Sequence, residues 1–207
     1  MPDPLVVFGS GGHAKVVIEA VLARTPGRQI IILDDFEENA GKSIFGVVVA
    51  GGRSELDSIR GAPVVPAIGD NCTRARLLTW LREQGHALES IVHPAAVVAE
   101  SVQLGGGAFI SAGAVVIAEA RIGPGAIINT GATIDHDCVV GEAAHVGPGV
   151  HLCGNVRIGD RTLVGVGSSV RPGVFICDDV VLGAGSVVVR DIVEPGTFAG
   201  NPARRLR

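Results

Sequence analysis

Aromatic residues are scarce in this chain of 207 residues, which has no tyrosine, one tryptophan and six phenylalanines. Its 17 Lys and Arg residues are outnumbered by 21 Asp and Glu residues, and the basic side chains form no stripe. Nucleic-acid binding needs a basic surface with aromatic side chains that stack on bases. We therefore expect no nucleic-acid partner.

Long apolar runs and paired cysteines are equally absent. No apolar segment reaches the roughly 20 residues of a membrane-spanning helix, and the short apolar run near the start follows no basic leader. We therefore expect a cytoplasmic protein without membrane insertion. The cysteines show no C-x-x-C spacing, which favours free thiols over a zinc knuckle or a disulfide framework. They are Cys72, Cys138, Cys153 and Cys177.

Glycine is abundant instead, with 30 residues, and an aliphatic residue recurs at every sixth position over residues 98–188. The residue four places after each is mostly small, as at Ala108 and Ala114. This period predicts a left-handed parallel β-helix of hexapeptide repeats, with three short strands in each coil of about 18 residues. Sixteen hexapeptides give about five stacked coils. The aliphatic positions are Val98, Leu104, Ile110, Val116, Ile122, Ile128, Ile134, Val140, Val146, Leu152, Ile158, Val164, Val170, Ile176, Leu182 and Val188.

Residues 1–91 follow a different pattern. Strands are predicted at 5–9 and 29–35, with a glycine turn and a helix between them, and a further strand and turn at 63–71 follow a glycine-rich connection. An amphipathic helix at 72–85 ends at Gly85. We expect a small α/β domain of the Rossmann-like βαβ kind. The boundary is predicted near residue 92, so that residues 92–207 form the β-helix domain with a short C-terminal tail.

The segment GSGGHA at 9–14 matches G-x-G-x-x-G with Ala14 in the last place, and it stands between a strand and a helix. Its glycines let a ligand approach the backbone, and the helix N-terminus favours phosphate. Asp34 and Asp35 end the next strand, where an acid would meet a ribose. A tight turn without a ligand is the alternative, but His13 supplies a donor where glycine would suffice. The domain is short for NAD, so another nucleotide is favoured.

Residues 133–151 contain three of the six histidines. In the hexapeptide frame His136 points outward between the small residues Ala118 and Gly154 of the neighbouring coils, in a notch open to a ligand. Such a histidine can serve as a general base if a carboxylate fixes its tautomer. Either Asp135 or Asp137 could do so.

His145 also points outward, in a column of otherwise apolar residues. An exposed apolar column predicts a subunit contact, and triangular prisms close naturally into threefold rings, so we expect a homotrimer with sites between subunits. His145 and His151 lie on different faces and cannot share a metal ion within one chain, so no metal is expected, although neighbouring subunits leave a metal possible. Cys138 points inward and is expected to pack. The apolar members of the column are Phe109, Ile127, Leu163 and Val181.

The whole chain resembles the sialic acid O-acetyltransferase-like (NeuD/PglD) group of hexapeptide acyltransferases. The resemblance is carried by GSGGH, LDD, AIGDN, IVHPAA, NTGATIDHDCVVGEAAHVG, CGNVRIG and GTFAGNPAR. It implies that His136 takes a proton from a sugar amine as the amine attacks acetyl-CoA, and that Asp137 raises its basicity. It also implies acetyl-CoA contacts at His145, Val166 and Ala184. The implied nucleotide-sugar contacts are Gly11, Gly12, His13, Asp34, Asp35 and Gly69.

Two positions depart from the group's pattern. Ala184 stands where a glycine is frequent, and Asp137 follows the base where some members have Glu, which shortens the reach of the carboxylate. The resemblance implies an acetyl-CoA-dependent N-acetyltransferase acting on a nucleotide-linked 4-amino-4,6-dideoxy sugar for bacterial surface glycans or glycoproteins. The alternatives are an O-acetyltransferase on a sialic-type sugar, a metal-dependent hydratase and a silent nucleotide-sugar binder. The sequence leaves UDP or GDP, and the role of His151, open.

Overall fold

The computed structural model describes residues 4–59 and 61–206. The N-terminal part contains one sheet and two helices, with two 3-10 turns at Glu37–Asn39 and Arg53–Ser58. The helices are α1 (Gly12–Arg24) and α2 (Asn71–Glu83). The strands are β1 (Leu5–Phe8), β2 (Ile30–Leu33), β3 (Ser43–Ile44), β4 (Val47–Gly51) and β5 (Val64–Pro66).

The sheet has the order β3-β4-β2-β1-β5, and β1 runs parallel to both β2 and β5. The β3–β4 hairpin adds to the β2 edge and was not predicted from the sequence, which indicated only a glycine-rich connection there. Its two-residue turn, Phe45 and Gly46, has φ angles of 49° and 80°. Such turns usually carry Asn-Gly or Asp-Gly. Phenylalanine in the first place removes the signal that would have predicted the hairpin.

The remaining strands form a parallel β-helix with three faces, which we number in chain order. The first face contains β6 (Ile91–Val92), β9 (Phe109–Ile110), β12 (Ile127–Ile128), β15 (His145–Val146), β18 (Leu163–Val164) and β21 (Val180–Leu182), and is extended by β23 (Gly196–Ala199) and β24 (Arg204–Arg205). The second face contains β7 (Val97–Val98), β10 (Val115–Val116), β13 (Thr133–Ile134), β16 (His151–Leu152), β19 (Ser169–Val170) and β22 (Val187–Val188). The third face contains β8 (Gln103–Leu104), β11 (Arg121–Ile122), β14 (Val139–Val140), β17 (Arg157–Ile158) and β20 (Phe175–Ile176).

Strands on one face pair with a register shift of eighteen residues, as His145 does with Ile127 and Leu163. The second residue of each strand points into the prism. Ile128 and Val146, for example, have no exposed surface. The predicted six-residue period and fold class are therefore confirmed. The predicted domain boundary near residue 92 falls in β6 and stays a prediction.

The N-terminal part packs on the first face. Phe109 and Ile127 are each 1% exposed because Val17 and Ile18 of α1, with Val65 of β5, belong to the same apolar cluster. The prediction of a subunit contact rested on an exposed apolar column on this face. That reason was wrong for Phe109 and Ile127, which the N-terminal part of the same chain covers. None of the helices in the described ranges is long and apolar enough to cross a bilayer.

The inward side chains of the prism should dominate its stability. Replacing Ile122, which is 2% exposed, by alanine removes buried apolar surface and leaves a cavity, so we expect the free energy of unfolding to fall by about 2–5 kcal/mol. Arg121→Ala, its exposed outward neighbour on the same strand, is the matched control and should change it by less than about 0.5 kcal/mol. Denaturant unfolding of both variants measures the difference, and equal effects would contradict the inward assignment.

Candidate active site

His136 lies at the corner between the second and third faces, directly after β13. Its Nδ1 is 2.8 Å from Oδ2 of Asp137, whereas Oδ1 of Asp135 accepts a hydrogen bond from the backbone N of His136 at 2.8 Å. Asp137 has a φ of 59°, in the left-handed region, so strict strand alternation does not apply at this turn. In this structure the ring contact is therefore with Asp137. When Nδ1–H donates to that carboxylate, Nε2 carries a free lone pair.

The carboxylates beside His136 also affect its charge. The hydrogen bond to Asp137 raises the pKa of His136 above its ordinary value of 6.5, and the negative charges of Asp135 and Asp137 add to that effect. Both side chains of the pair are more than half exposed. The imidazole is thus more basic than a free histidine and open to a ligand, which are the two properties that a general base needs.

A glycine in the next coil makes room for the ring. A Cβ atom at Gly154 would lie 2.4 Å from His136 Nε2, so a larger residue there would displace the imidazole. The predicted small neighbour is thus required by the packing. Cys138, two residues after His136, is fully buried, its Sγ donates to the carbonyl of Cys153 at 3.1 Å, and burial raises its pKa to about 11. It is not available as a nucleophile.

A second feature is a cavity of about 440 Å³ in the N-terminal part. It lies where β1, β2 and β5 end, which is the edge of a parallel sheet that usually binds ligands. Gly9 has a φ of 122°, and a Cβ there would lie 2.7 Å from the carbonyl oxygen of Ala67, so only glycine fits this turn. The lining includes all six residues predicted to contact the nucleotide sugar: Gly11, Gly12, His13, Asp34, Asp35 and Gly69.

The two aspartates are held by the protein around them. Oδ2 of Asp34 accepts from the backbone N of Ser10 at 2.8 Å and from its hydroxyl, and Oδ1 accepts from the backbone N of Phe36 at 2.9 Å. Asp35 accepts from Nε and Nη2 of Arg53. These bonds fix the carboxylates along the rim of the cavity. Each has further lone pairs available to a ligand.

His13 and His145 lie where the cavity meets the first face. The His13 ring meets Phe109 edge-on at 5.2 Å, and its Nε2 is buried with no hydrogen-bond partner among the described residues. Nε2 of His145 accepts from Nδ2 of Asn129 at 3.0 Å. Burial, followed by the positive charge of Arg74, lowers the pKa of His13 to about 3 and that of His145 to about 4. Both imidazoles are therefore neutral at pH 7.

The predicted acetyl-CoA contacts do not lie together. Val166 and Ala184 are stacked at the corner between the first and second faces, where the Val166 carbonyl accepts from the N of Gly185 at 2.8 Å, and both are exposed. His145 lies on the first face itself, beneath the N-terminal part. His136 lies at the other edge of the second face. Within one chain His136 and Asp137 therefore lie at a different corner from Val166 and Ala184, and on the other side of the second face from the first face and the N-terminal part.

The comparisons with known proteins cover nearly the whole chain. Residues 4–81 match the family described as the PglD N-terminal domain, residues 137–172 match bacterial transferase hexapeptide (six repeats), and residues 155–190 match the hexapeptide repeat of succinyl-transferase. A solved variant of perosamine N-acetyltransferase from Caulobacter crescentus, in complex with CoA and GDP-perosamine, is 42% identical with a TM-score of 0.92, covering 99% of this chain and 97% of that one. This chain belongs to the PglD-type family of hexapeptide acetyltransferases.

Two further PglD-type relatives support the assignment. The acetyltransferase domain of PglB from Neisseria gonorrhoeae FA1090, solved with acetyl coenzyme A, is 37% identical with a TM-score of 0.93 over 99% of each chain. UDP-N-acetylbacillosamine N-acetyltransferase of Bacillus subtilis (strain 168) is 36% identical over 110 residues, which are 52% of this chain and 51% of that relative. The chain thus matches about half the length of this curated relative. The predicted family is confirmed, and the chain is an acyltransferase.

Sequence reasoning missed Arg74 in this PglD-type acetyltransferase. The residue is fully buried between the cavity and the prism. The sequence feature that could have indicated it is an arginine on the apolar face of an amphipathic helix, in line with the buried Leu77, Leu78 and Leu81. A different kind of site, a metal centre, finds no support within residues 4–59 and 61–206, where no group of three or more His, Cys, Asp or Glu side chains is placed to hold an ion.

The His136–Asp137 pair can be tested by titration. Replacing Asp137 by asparagine removes the carboxylate that stabilises the imidazolium but keeps a residue that tolerates a positive φ. We expect the pKa of His136, measured by NMR, to lie above 6.5 in the wild type and to fall in Asp137→Asn. The same substitution at Asp160, which contacts no histidine but bonds the backbone N of Glu142, should leave it unchanged. An unchanged value in Asp137→Asn would contradict the assigned ring contact.

The partly buried, neutral histidines His13 and His145 predict a loss of stability in acid. Because the pKa values of His13 and His145 are lower in the folded than in the unfolded state, the unfolded chain binds more protons below pH 6.5. As the pH falls from 6.5 to about 4, each of the two histidines should lower the free energy of unfolding by about 1.4 kcal/mol per pH unit. Urea unfolding of wild type and His145→Asn measures this slope. Equal slopes would show that His145 is not held neutral.

Proposed function

We propose that this chain transfers the acetyl group of acetyl-CoA to the 4-amino group of a nucleotide-linked 4-amino-4,6-dideoxy sugar. The observation that carries the proposal is the similarity, over nearly the whole chain, to an enzyme that binds CoA and GDP-perosamine. That enzyme matches 99% of the chain, whereas the UDP-sugar relative matches 52%. A GDP-linked sugar is therefore the first acceptor to test. We place the reaction in the cytoplasm, in the synthesis of bacterial surface glycans or glycoproteins.

In this proposal His136 is the general base and Asp137 is its orienting carboxylate. The acceptor nitrogen attacks the thioester carbonyl, the N–C bond forms, and Nε2 of His136 takes the proton that the nitrogen loses. The C–S bond then breaks, and the proton leaves with the coenzyme A thiolate. No acyl-enzyme is needed, which agrees with the buried thiol of Cys138.

The ligands are assigned to the two features described above. The cavity lined by Gly11, Gly12, His13 and Gly69 holds the nucleotide sugar, with phosphate at the N-terminus of α1. Asp34 and Asp35 serve the ribose or the base from its rim. Acetyl-CoA lies along the corner formed by Val166 and Ala184 and extends toward His145. Holding both ligands in one orientation supplies much of the rate.

We further propose a homotrimer whose second faces turn toward the threefold axis. The outward side chains of that face carry no Asp, Glu, Lys or Arg, whereas the third face presents Arg121 and Arg157. The arrangement places the His136 corner of one subunit beside the Val166 and Ala184 corner of the next, so that the separated residues meet between subunits. The outward residues of the second face are Val97, Val115, Thr133, His151, Ser169 and Val187.

Thiol release from acetyl-CoA tests the proposal. With GDP- and UDP-linked 4-amino-4,6-dideoxy sugars we expect release with at least one, and none with the matching 4-hydroxy sugars. His136→Asn should lower kcat by about 10²–10⁴-fold because the base is lost, whereas His86→Asn, packed on Trp80 in the N-terminal part, should leave it unchanged. Release only with hydroxyl acceptors would indicate O-acetylation. No release with any acceptor, or equal rates for the two variants, would overturn the proposal.

A further inference from the structure

Three residues at the corner between the third and first faces occupy the same place in successive coils. Gly125, Ala143 and Arg161 are eighteen residues apart, and their φ angles lie between 50° and 59°. The N–H of each donates to a backbone carbonyl at 2.9–3.1 Å, while their own carbonyls accept from side chains of α2. The corner therefore presents to the N-terminal part a row of three carbonyl acceptors along the prism axis.

Two side chains one turn apart on α2 bind this row. Arg74 donates through Nε to the carbonyl of Gly125 at 2.7 Å and through Nη2 to that of Ala143 at 2.8 Å. Asn71 donates through Nδ2 to the carbonyl of Arg161 at 2.8 Å. Oδ1 of Asn71 accepts from Nη2 of Arg74 at 2.8 Å, so the two side chains act as one unit. Three coils are thus bound from a single helix turn.

The Nη1 side of the guanidinium binds the wall of the cavity. Nη1 of Arg74 donates to the carbonyls of Ile68 and Gly69 at 2.8 and 2.9 Å, and both residues line the cavity assigned to the nucleotide sugar. Arg74 has no exposed surface, and its bonds to Gly125 and Ala143 are buried, so breaking those two bonds would leave buried carbonyls without a donor. Burial lowers the pKa of Arg74 only to about 10, which keeps the side chain charged at neutral pH.

We propose that Asn71 and Arg74 form a clamp that fixes the position of the acceptor cavity along the prism axis. Arg74 is thereby a positioning residue for the transfer. The inference rests on the proposed function, because it assigns the cavity to the nucleotide sugar. The corner carbonyls bind the guanidinium from the prism side, and the Ile68 and Gly69 carbonyls bind it from the cavity side. One side chain thus ties the cavity wall to the prism, so the bonds of Arg74 set where that wall lies.

The clamp should act on the acceptor and not on acetyl-CoA. In Arg74→Lys a single ammonium replaces a guanidinium that binds carbonyls of the prism on one side and of the cavity wall on the other. The cavity wall then loses its fixed position. We expect kcat/KM for the nucleotide amino sugar to fall by about 10²-fold, as small misplacements of reacting groups do, with the KM for acetyl-CoA little changed. Asn71→Ala keeps the guanidinium and should show a smaller loss of the same kind.

Arg82→Ala is the matched control, because Arg82 lies on the same helix and also reaches the prism, through a partly exposed ion pair with Glu142 at 2.8 Å. Such a pair contributes little, and we expect acceptor kinetics to be unchanged. A loss of thermal stability in Arg74→Lys and Asn71→Ala with wild-type acceptor KM and kcat would overturn the proposal, since it would mean a structural role alone. Equal losses in Arg82→Ala would overturn it as well.

Hydrogen exchange supplies a readout that does not depend on activity. Amides at 67–70 should exchange faster in Arg74→Lys than in wild type or Arg82→Ala, because their segment is no longer held to the prism. Wild-type exchange there would contradict the clamp even if activity fell. If the wild type acetylates none of the acceptors but exchange at 67–70 rises in Arg74→Lys, the clamp stands and the proposed function fails.

Discussion

Stacking of coils eighteen residues apart is the constraint on which the rest of the structure depends. Each two-residue strand hydrogen-bonds the strands one coil before and after it, so every side chain keeps a fixed face or corner along the prism. Alternation within the strand then separates inward aliphatic residues from outward ones. A residue's place in the repeat thereby decides whether it packs, as Cys138 does, or lies exposed at a corner, as His136 does.

The corners of the prism relax that alternation. At the second–third corner the left-handed Asp137 turns its carboxylate back to the imidazole of His136. At the third–first corner, left-handed residues present free carbonyls to Asn71 and Arg74. The same turn geometry thus positions the proposed base, His136, in one place and docks the N-terminal part in another. Both features lie where the repeat bends, while the flat faces supply rigidity.

Much of this could be predicted from the sequence because the repeat is local and regular. The period of six predicted the prism, the inward position of Cys138 and the small neighbour Gly154 of His136. Contacts between distant segments could not be predicted. The covering of Phe109 by α1 depends on how two domains pack. The choice of Asp137 over Asp135 at the ring depends on a backbone angle, and the family resemblance had favoured it without showing it.

Arg74 was missed because a charged residue in a helix pattern is expected to be exposed. A buried arginine is stable here only because carbonyls from two separate parts of the fold converge on it. The hairpin at Phe45 was missed because its turn lacks the usual residues. In each case the deciding partner is remote in sequence or is the backbone itself, which residue patterns do not report.

Mixing two inactive variants tests most directly the claim that one transfer site combines two subunits. His136→Asn removes the base, and Gly11→Leu fills the cavity at a position where an added Cβ meets no atom within 4 Å. Each variant alone should retain at most about 1% of the wild-type rate. In co-assembled trimers, random mixing leaves about one site in four with both halves intact, so we predict about a quarter of the wild-type rate of thiol release. No activity in mixed trimers would contradict the account, because it would place the base and the cavity of each site in the same chain.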